Sequence, residues 1–360
     1  MSNYIEYNDK IAFHPGYYIQ EIVDESGLTQ KDFAKRLGTT PKNLSILIRG
    51  EQSLSVDIAM KLSRMMGTSV TYWMNLQNAF DELVAEFAYE NEIKAEKKIF
   101  EYLDYKYFRD NYGLPNLPRK VDEQIKEVRE FLNVSSLTVL CERDMAVSFR
   151  SATSELSESN TVKANTMVQI AVNRALKVDA PKFNKRKFVA AVKYALTLTQ
   201  EHDFFYPLLY KAFLEAGVIF EILPNLSGSK INGATKKVGD SIMLMVNDRR
   251  LYADSFWFTL FHEIGHIMNG DYGISFETES GEQEDLADQY AENSLIPPEA
   301  YNQFSSTGYF DINSIKKFAQ SINRAPGIVI GRLLNDAKID YRDSSLKPYR
   351  IKYRVKNVTQ

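Results

Sequence analysis

Apolar residues recur at spacings of three and four through residues 13–82, with breaks at Gly27, Gly38, Gly50 and Gly67. This predicts a bundle of short helices. The same periodicity runs through 84–112 and stops at 113–118, where Pro115 and Pro118 end a helix and mark a hinge. Residues 119–133 read as an amphipathic helix, 134–141 as a short strand and the serine-rich 148–160 as a loop. Helices are expected over 161–176 and 184–199. The texture changes after about residue 205. Segments 217–223 and 241–246 are β-branched apolar runs, with the polar, glycine-containing 231–238 between them, which predicts a small sheet. Helical periodicity returns at 253–268, 282–295, 311–321 and 325–337. The end of the chain carries Lys347, Arg350, Lys352, Arg354 and Lys356 without an acid. Its alternating Tyr349, Ile351, Tyr353 and Val355 fit either a solvated tail or an edge strand.

Size and charge narrow this picture. A chain of 360 residues exceeds what one core usually serves, so two or three domains are expected. Forty-four basic against 47 acidic residues give a net charge of −3, so any nucleic-acid contact must come from a local patch. The single cysteine, Cys141, excludes a disulfide framework and a cysteine-based zinc ribbon. No apolar run approaches about 18 residues and no basic-then-apolar leader precedes the first helix, so a cytoplasmic protein with no membrane span is expected.

Residues 28–50 hold five basic side chains and one acid. Thr29 caps a helix with Phe33, Ala34 and Leu37 at core spacing, and Gly38 ends it. Thr39-Thr40 then form a turn and Pro41 opens a second helix, 41–49, burying Leu44 and Leu47. Lys42, Asn43, Ser45 and Ile46 lie on or near its outer face. A short helix, a glycine-containing turn and a helix carrying polar side chains form a helix-turn-helix. A solvated basic face on an ordinary bundle is the competing reading. Phe13-His14-Pro15-Gly16, Ile48-Arg49-Gly50 and Gly67-Thr68-Ser69 followed by Tyr72–Gln77 resemble the HigA-type antitoxins, helix-turn-helix repressors of the Xre class, over roughly 12–82. The resemblance implies that His14 opens a structural turn and that Gln30, Thr40, Lys42, Asn43 and Ser45 face double-stranded operator DNA. Gln and Asn suit adenine edges, and Lys suits guanine or phosphate. One reading helix contacts few bases, so a homodimer on a palindrome is expected.

Only four histidines occur, and two of them flank Glu263 in Phe261-His262-Glu263-Ile264-Gly265-His266. At i and i+4 on one helix, His262 and His266 reach a single Zn2+, while Glu263 sits one position round as general base. Two core histidines bonded to backbone would be the bland alternative. A histidine six residues after His266 would make a metzincin, but Tyr272 stands there. His14 belongs to the turn and His202 to a polar loop, so the third ligand is expected to be a carboxylate. On 282–295, Glu284 and Asp288 share a face with Ala287, Ala291 and Leu295 and so point to the core. Glu284 is the expected ligand and Asp288 the acceptor of the His262 N–H. Glu282, Asp285 and Glu292 read as the solvated side.

Residues 256–266, 284–297 and 326–333 resemble the ImmA/IrrE family of metallopeptidases over about 205–340. That resemblance implies Glu284 as ligand and Glu263 as general base. The expected architecture is therefore mainly α with a small β-sheet. A helix-turn-helix bundle (1–82) is followed by a helical connector and dimerisation region (83–204), an α+β zincin-like domain (205–343) and a basic tail (344–360). A strand beside the site, 231–235 or 241–246, is expected to hold an extended substrate by main-chain bonds. Tyr272, Tyr290 or Arg332 stabilises the oxyanion, unless zinc suffices; Arg332 fits a structural salt bridge better. Three function classes follow: a DNA-binding regulator whose zinc endopeptidase cleaves a repressor or itself; an antitoxin that binds DNA and a cognate toxin, with the zinc domain as sensor or scaffold; or a peptidase toxin or defence effector.

Overall fold

The computed structural model describes residues 3–7, 10–142, 157–276, 281–342 and 344–355. Most of the serine-rich loop expected at 148–160, and Lys356 of the tail, lie outside the described residues. The chain is mainly helical and divides into two compact units, 1–95 and 96–360.

In the first unit a hairpin of β1 (Tyr4–Tyr7) and β2 (Lys10–Phe13), not anticipated from the sequence, precedes the bundle. Five helices follow: α1 (Pro15–Glu25), α2 (Gln30–Leu37), α3 (Pro41–Ile48), α4 (Val56–Met66) and α5 (Val70–Phe100), whose end reaches into the second unit's residues. Their spacing buries Ile19, Phe33, Leu37, Leu44, Leu47, Leu62 and Trp73 in one core. The turn at His14 is structural: its Nδ1 accepts the Gly16 N–H at 3.0 Å, and the side chain is buried. Gly16 is required there, because a Cβ would stand 2.1 Å from the Leu47 carbonyl oxygen.

The second unit begins with α6 (Tyr105–Tyr112) and α7 (Val121–Leu132). Residues 137–141 form a 3-10 helix rather than the expected strand, with Ser136 as N-cap and the buried Glu96 carboxylate accepting the Leu137 N–H at 2.8 Å. A local cap outcompetes the β-branched composition of so short a run. Next come α8 (Glu158–Ala175), α9 (Lys185–Thr197) and α10 (Phe205–Glu215). The sheet comprises β3 (Val218–Leu223), β4 (Ile231–Val238), β5 (Ser241–Asn247) and a fourth short strand, β6 (Ile274–Phe276), in the order β3-β5-β4-β6. β3 and β5 are parallel, while β4 runs antiparallel to both its neighbours. Helix α11 (Ala253–Asn269) stands between β5 and β6 in the chain, and α12 (Glu282–Leu295), α13 (Pro298–Ser305), α14 (Ile312–Ser321) and α15 (Pro326–Asn335) follow.

Residues 96–204 do not build a core of their own. Phe108, Ile125, Leu132, Leu140, Met167 and Val168 share one cluster with Ile219, Ile231, Met243, Ile274 and Phe276 of the sheet. The other face of the sheet packs on α9, α10, α11 and α15. A sheet with two apolar faces needs cover on both, and the region expected as connector supplies one and, through α9, part of the other. The tail keeps Lys347, Lys352 and Arg354 exposed, docks through a few other side chains, and pairs by the single bridge Tyr252–Lys352 rather than as a regular edge strand. Tyr353 stacks on Phe205 at 5.1 Å and accepts the Trp257 Nε1–H at 3.3 Å, and Arg350 pairs with Asp254 at the start of α11.

Candidate DNA-reading face and candidate metal centre

Helices α2 and α3 are set at fixed pitch by their caps. Thr29 Oγ1 accepts the Asp32 N–H at 3.1 Å, Thr40 Oγ1 accepts the Asn43 N–H at 3.1 Å, and Gly38 turns the chain at φ 69°. Lys42 and Thr40 are exposed, whereas Gln30, Asn43 and Ser45 are half-buried. Asn43 is already occupied: its Nδ2 donates to Thr39 Oγ1 at 3.0 Å and its Oδ1 accepts from Gln52 Nε2 at 2.8 Å. Ser45 Oγ accepts from Arg49 Nη1 at 2.5 Å, and the same guanidinium forks onto Glu51 at 2.8 and 3.0 Å. Arg49 and Gln52 therefore belong to this face although sequence reasoning left them out. The available signal was Arg49 standing one turn beyond Ser45 on the same helix side.

In the second unit α11 and α12 pack closely at Gly265, where a Cβ would stand 3.1 Å from Ala287 Cα. That approach brings three donor atoms together. His262 Nε2 lies 3.0 Å from His266 Nε2 and 3.1 Å from Glu284 Oε2, and His266 Nε2 lies 3.4 Å from Glu284 Oε1. All three side chains are buried. Ligand bonds of about 2.1 Å at tetrahedral angles put donors roughly 3.4 Å apart, so the cluster has the size a zinc ion needs.

The far side of each imidazole is fixed by a carboxylate. Asp288 Oδ1 lies 2.7 Å from His262 Nδ1, and Asp271 Oδ2 lies 2.9 Å from His266 Nδ1. A carboxylate only accepts, so each Nδ1 carries the proton and each neutral ring turns an Nε2 lone pair inward. Two such lone pairs facing each other beside Glu284 Oε1, which has no hydrogen-bond partner among the described residues, call for a shared cation. A proton on one Nε2 can take the same place. Burial disfavours the charged His262, but hydrogen bonds to Asp288 and Glu284 outweigh it and raise the pKa to about 10. Burial acts against ionised Glu284 too, yet the two imidazoles hold its carboxyl well below the usual range.

Glu263 is fully buried against the backbone of β4: a Cβ on Gly233 would stand 2.5 Å from its Oε1. Gly233 was not anticipated, nor was Asp271, which the left-handed Gly270 after α11 folds back so that its own N–H bonds the His266 carbonyl oxygen at 2.9 Å. Other expectations need correction. Asp288 lies at the rim, its side chain 53% exposed, because it stands at the edge of the buried α12 stripe of Glu284, Ala287, Ala291 and Leu295 rather than on it. Glu292 is half-buried rather than solvated and pairs with Arg332 at 2.9 Å. Arg332 also binds Asp336 at 2.9 Å, which makes it structural. His202 is engaged with the Tyr353 hydroxyl at 2.8 Å. The two strands expected to hold substrate are internal to the sheet over part of their length, with a register shift between Ile231 and Gly233 on the β6 side of β4. β5 lies between β3 and β4, and β4 at 231–234 lies between β5 and β6, so the sheet edges are β3 and β6.

Comparison with known proteins bears on the first unit. The helix-turn-helix family model matches residues 19–73. The uncharacterized HTH-type transcriptional regulator YddM of Escherichia coli is 39% identical over 79 residues, 21% of this chain and 84% of that protein. Antitoxin HigA-1 of Vibrio cholerae is 31% identical over 80 residues, 22% of this chain and 75% of that protein. PA4674 of Pseudomonas aeruginosa, solved in complex with its operator DNA, is 27% identical, with 24% of this chain and 94% of that chain aligned at a TM-score of 0.22. With the caps, the glycine turn and the Trp73 core in the same stretch, this identity over most of a regulator's length shows that the chain belongs, through its N-terminal unit, to the helix-turn-helix family.

Proposed function

We propose that the protein is a DNA-binding transcriptional regulator whose second unit is a zinc-dependent endopeptidase of the ImmA/IrrE kind, acting on a repressor or on itself. The observation that carries the second half is the buried His262–His266–Glu284 cluster. Its donor spacing suits zinc, and Asp288 and Asp271 preset both imidazole tautomers. When bound, zinc supplies Lewis-acid polarisation of water and of the peptide carbonyl. Glu263, packed against the β4 backbone at Gly233, takes a proton from water and returns it to the leaving amine. Burial of these groups strengthens their electrostatics relative to water. In the first unit, Lys42 and Arg49 supply phosphate contacts and the α3 side chains meet base edges. Since Asn43 and Arg49 are already bonded to Gln52 and Glu51, reading a base requires exchanging those bonds, which favours discrimination over raw affinity.

The test is a comparison of zinc-loaded wild type with Glu263→Gln in host extract, reading new protein N-termini by mass spectrometry, alongside titration of promoter DNA. New termini confined to the wild type, and abolished by a chelator, support the peptidase. Identical termini in both would leave the zinc as a structural or sensing ion. One observation favours a second reading, an antitoxin that represses its own promoter and binds a toxin: the HigA-1 antitoxin is among the relatives of the first unit. A stable complex with the product of a small neighbouring gene, unaffected by Glu263→Gln, would favour it.

A further inference from the structure

Helices α9 and α10 each present a stripe at i, i+3, i+4 and i+7 to one open groove of about 860 Å³, Lys187, Ala190, Ala191 and Tyr194 facing Leu208, Lys211, Ala212 and Glu215. The groove is lined by alanine, leucine, tyrosine and proline side chains with two lysines, Lys187 and Lys211, and one acid, Glu215. Tyr194 is 41% and Leu208 42% exposed, facing each other across the groove from the two helices. Residues 177–193 carry six basic side chains and one acid in a chain of net charge −3. Lys185 is used internally, its Nζ donating to the Met268 carbonyl oxygen at 3.0 Å. Lys187 and Lys211 have no ion-pair partner among the described residues.

We propose that this groove docks an acidic amphipathic helix of a partner protein. The alanines at 190, 191 and 212 let a third helix approach closely, its apolar face covering Tyr194 and Leu208. Its carboxylates then meet Lys187 and Lys211, which steers encounter and fixes register more than it adds affinity. A nucleic-acid backbone fits the two lysines equally well but leaves Tyr194 and Leu208 uncovered, so a protein helix is the better match. The surface involves neither the metal cluster nor the helix-turn-helix, and it stands or falls without them.

The test uses the full chain and a labelled helical peptide of about 18 residues with glutamates on one face and leucines on the other, beside a scrambled peptide of the same composition and a duplex DNA. Fluorescence anisotropy is expected to show binding of the amphipathic peptide over the scrambled one, weakened about tenfold by Lys187→Glu with Lys211→Glu. Leu208→Asp should weaken it comparably, and hydrogen-exchange protection should map to 185–194 and 208–215. All three side chains are exposed, so circular dichroism is expected to show unchanged folding. Peptide binding equal to the scramble, or indifferent to both variants, overturns the proposal. Loss of DNA binding in the lysine variants without any effect of Leu208→Asp would assign the surface to nucleic acid instead, and self-association abolished by the same variants would assign it to a second copy.

Discussion

Single side chains decide the chemistry of the candidate metal centre. His266→Ala removes a donor from a three-atom set, so bound zinc is expected to fall from about one per chain to near none, while Glu263→Gln, which touches no donor, keeps it. Elemental analysis of both proteins checks this, and equal metal in wild type and His266→Ala would refute the site. Asp271 acts through His266. Replacing it with Asn keeps the size but removes the charge that sets the imidazole's basicity, so zinc affinity should drop roughly 10- to 100-fold in a chelator competition. An unchanged affinity would reduce Asp271 to a helix-end packing residue.

At the scale of elements, the contact between α11 and α12 is what turns a two-histidine helix into a three-donor cluster. Gly265 permits it. Gly265→Val places a branched side chain against the Ala287 backbone, which overpacks the interface at a cost of about 1–3 kcal/mol. A lower melting temperature together with weaker zinc binding is expected, and a loss of stability with zinc affinity intact would mean that α12 is held in place by other contacts. In the first unit the cap of α3 plays the corresponding role. Thr40→Ala leaves the Asn43 N–H without its local acceptor and should cost about 1 kcal/mol, measured by chemical denaturation.

Across the whole second unit, the last described residues act as a strap over the start of α11. Arg350 binds Asp254, Tyr353 covers Phe205, Phe256 and Trp257, and the Val355 N–H donates to Asp248 at 3.0 Å. Deleting 344–360 in a Trp73→Phe background leaves Trp257 as the one tryptophan, excited selectively at the red edge of its absorption band. Its fluorescence is expected to shift to the red as water reaches the ring, with a lower melting temperature. Emission identical to the full chain would show that the strap is dispensable. Among the described residues no helix is long and apolar enough to cross a membrane.

What could be read along the chain was whatever local spacing dictates. The caps at Thr29 and Thr40, the glycine at 38 and the i, i+4 histidines are properties of one helix or one turn, and a helix's period places them on a face without further information. Glu284 was legible for the same reason, as an acid on an otherwise apolar stripe. Tertiary structure decided what depends on which surfaces meet. The burial of Glu263 by Gly233, the folding back of Asp271 and the emergence of Asp288 at the rim follow from the packing of β4, the α11 terminus and α12. The three-residue β6 is too short to announce itself by periodicity, and its pairing with β4 removed an edge that the sequence left open. Residues 96–204 read as a connector because their helices are amphipathic. The helical period specifies an apolar face and leaves its partner unnamed, and here that partner is the sheet of the second unit.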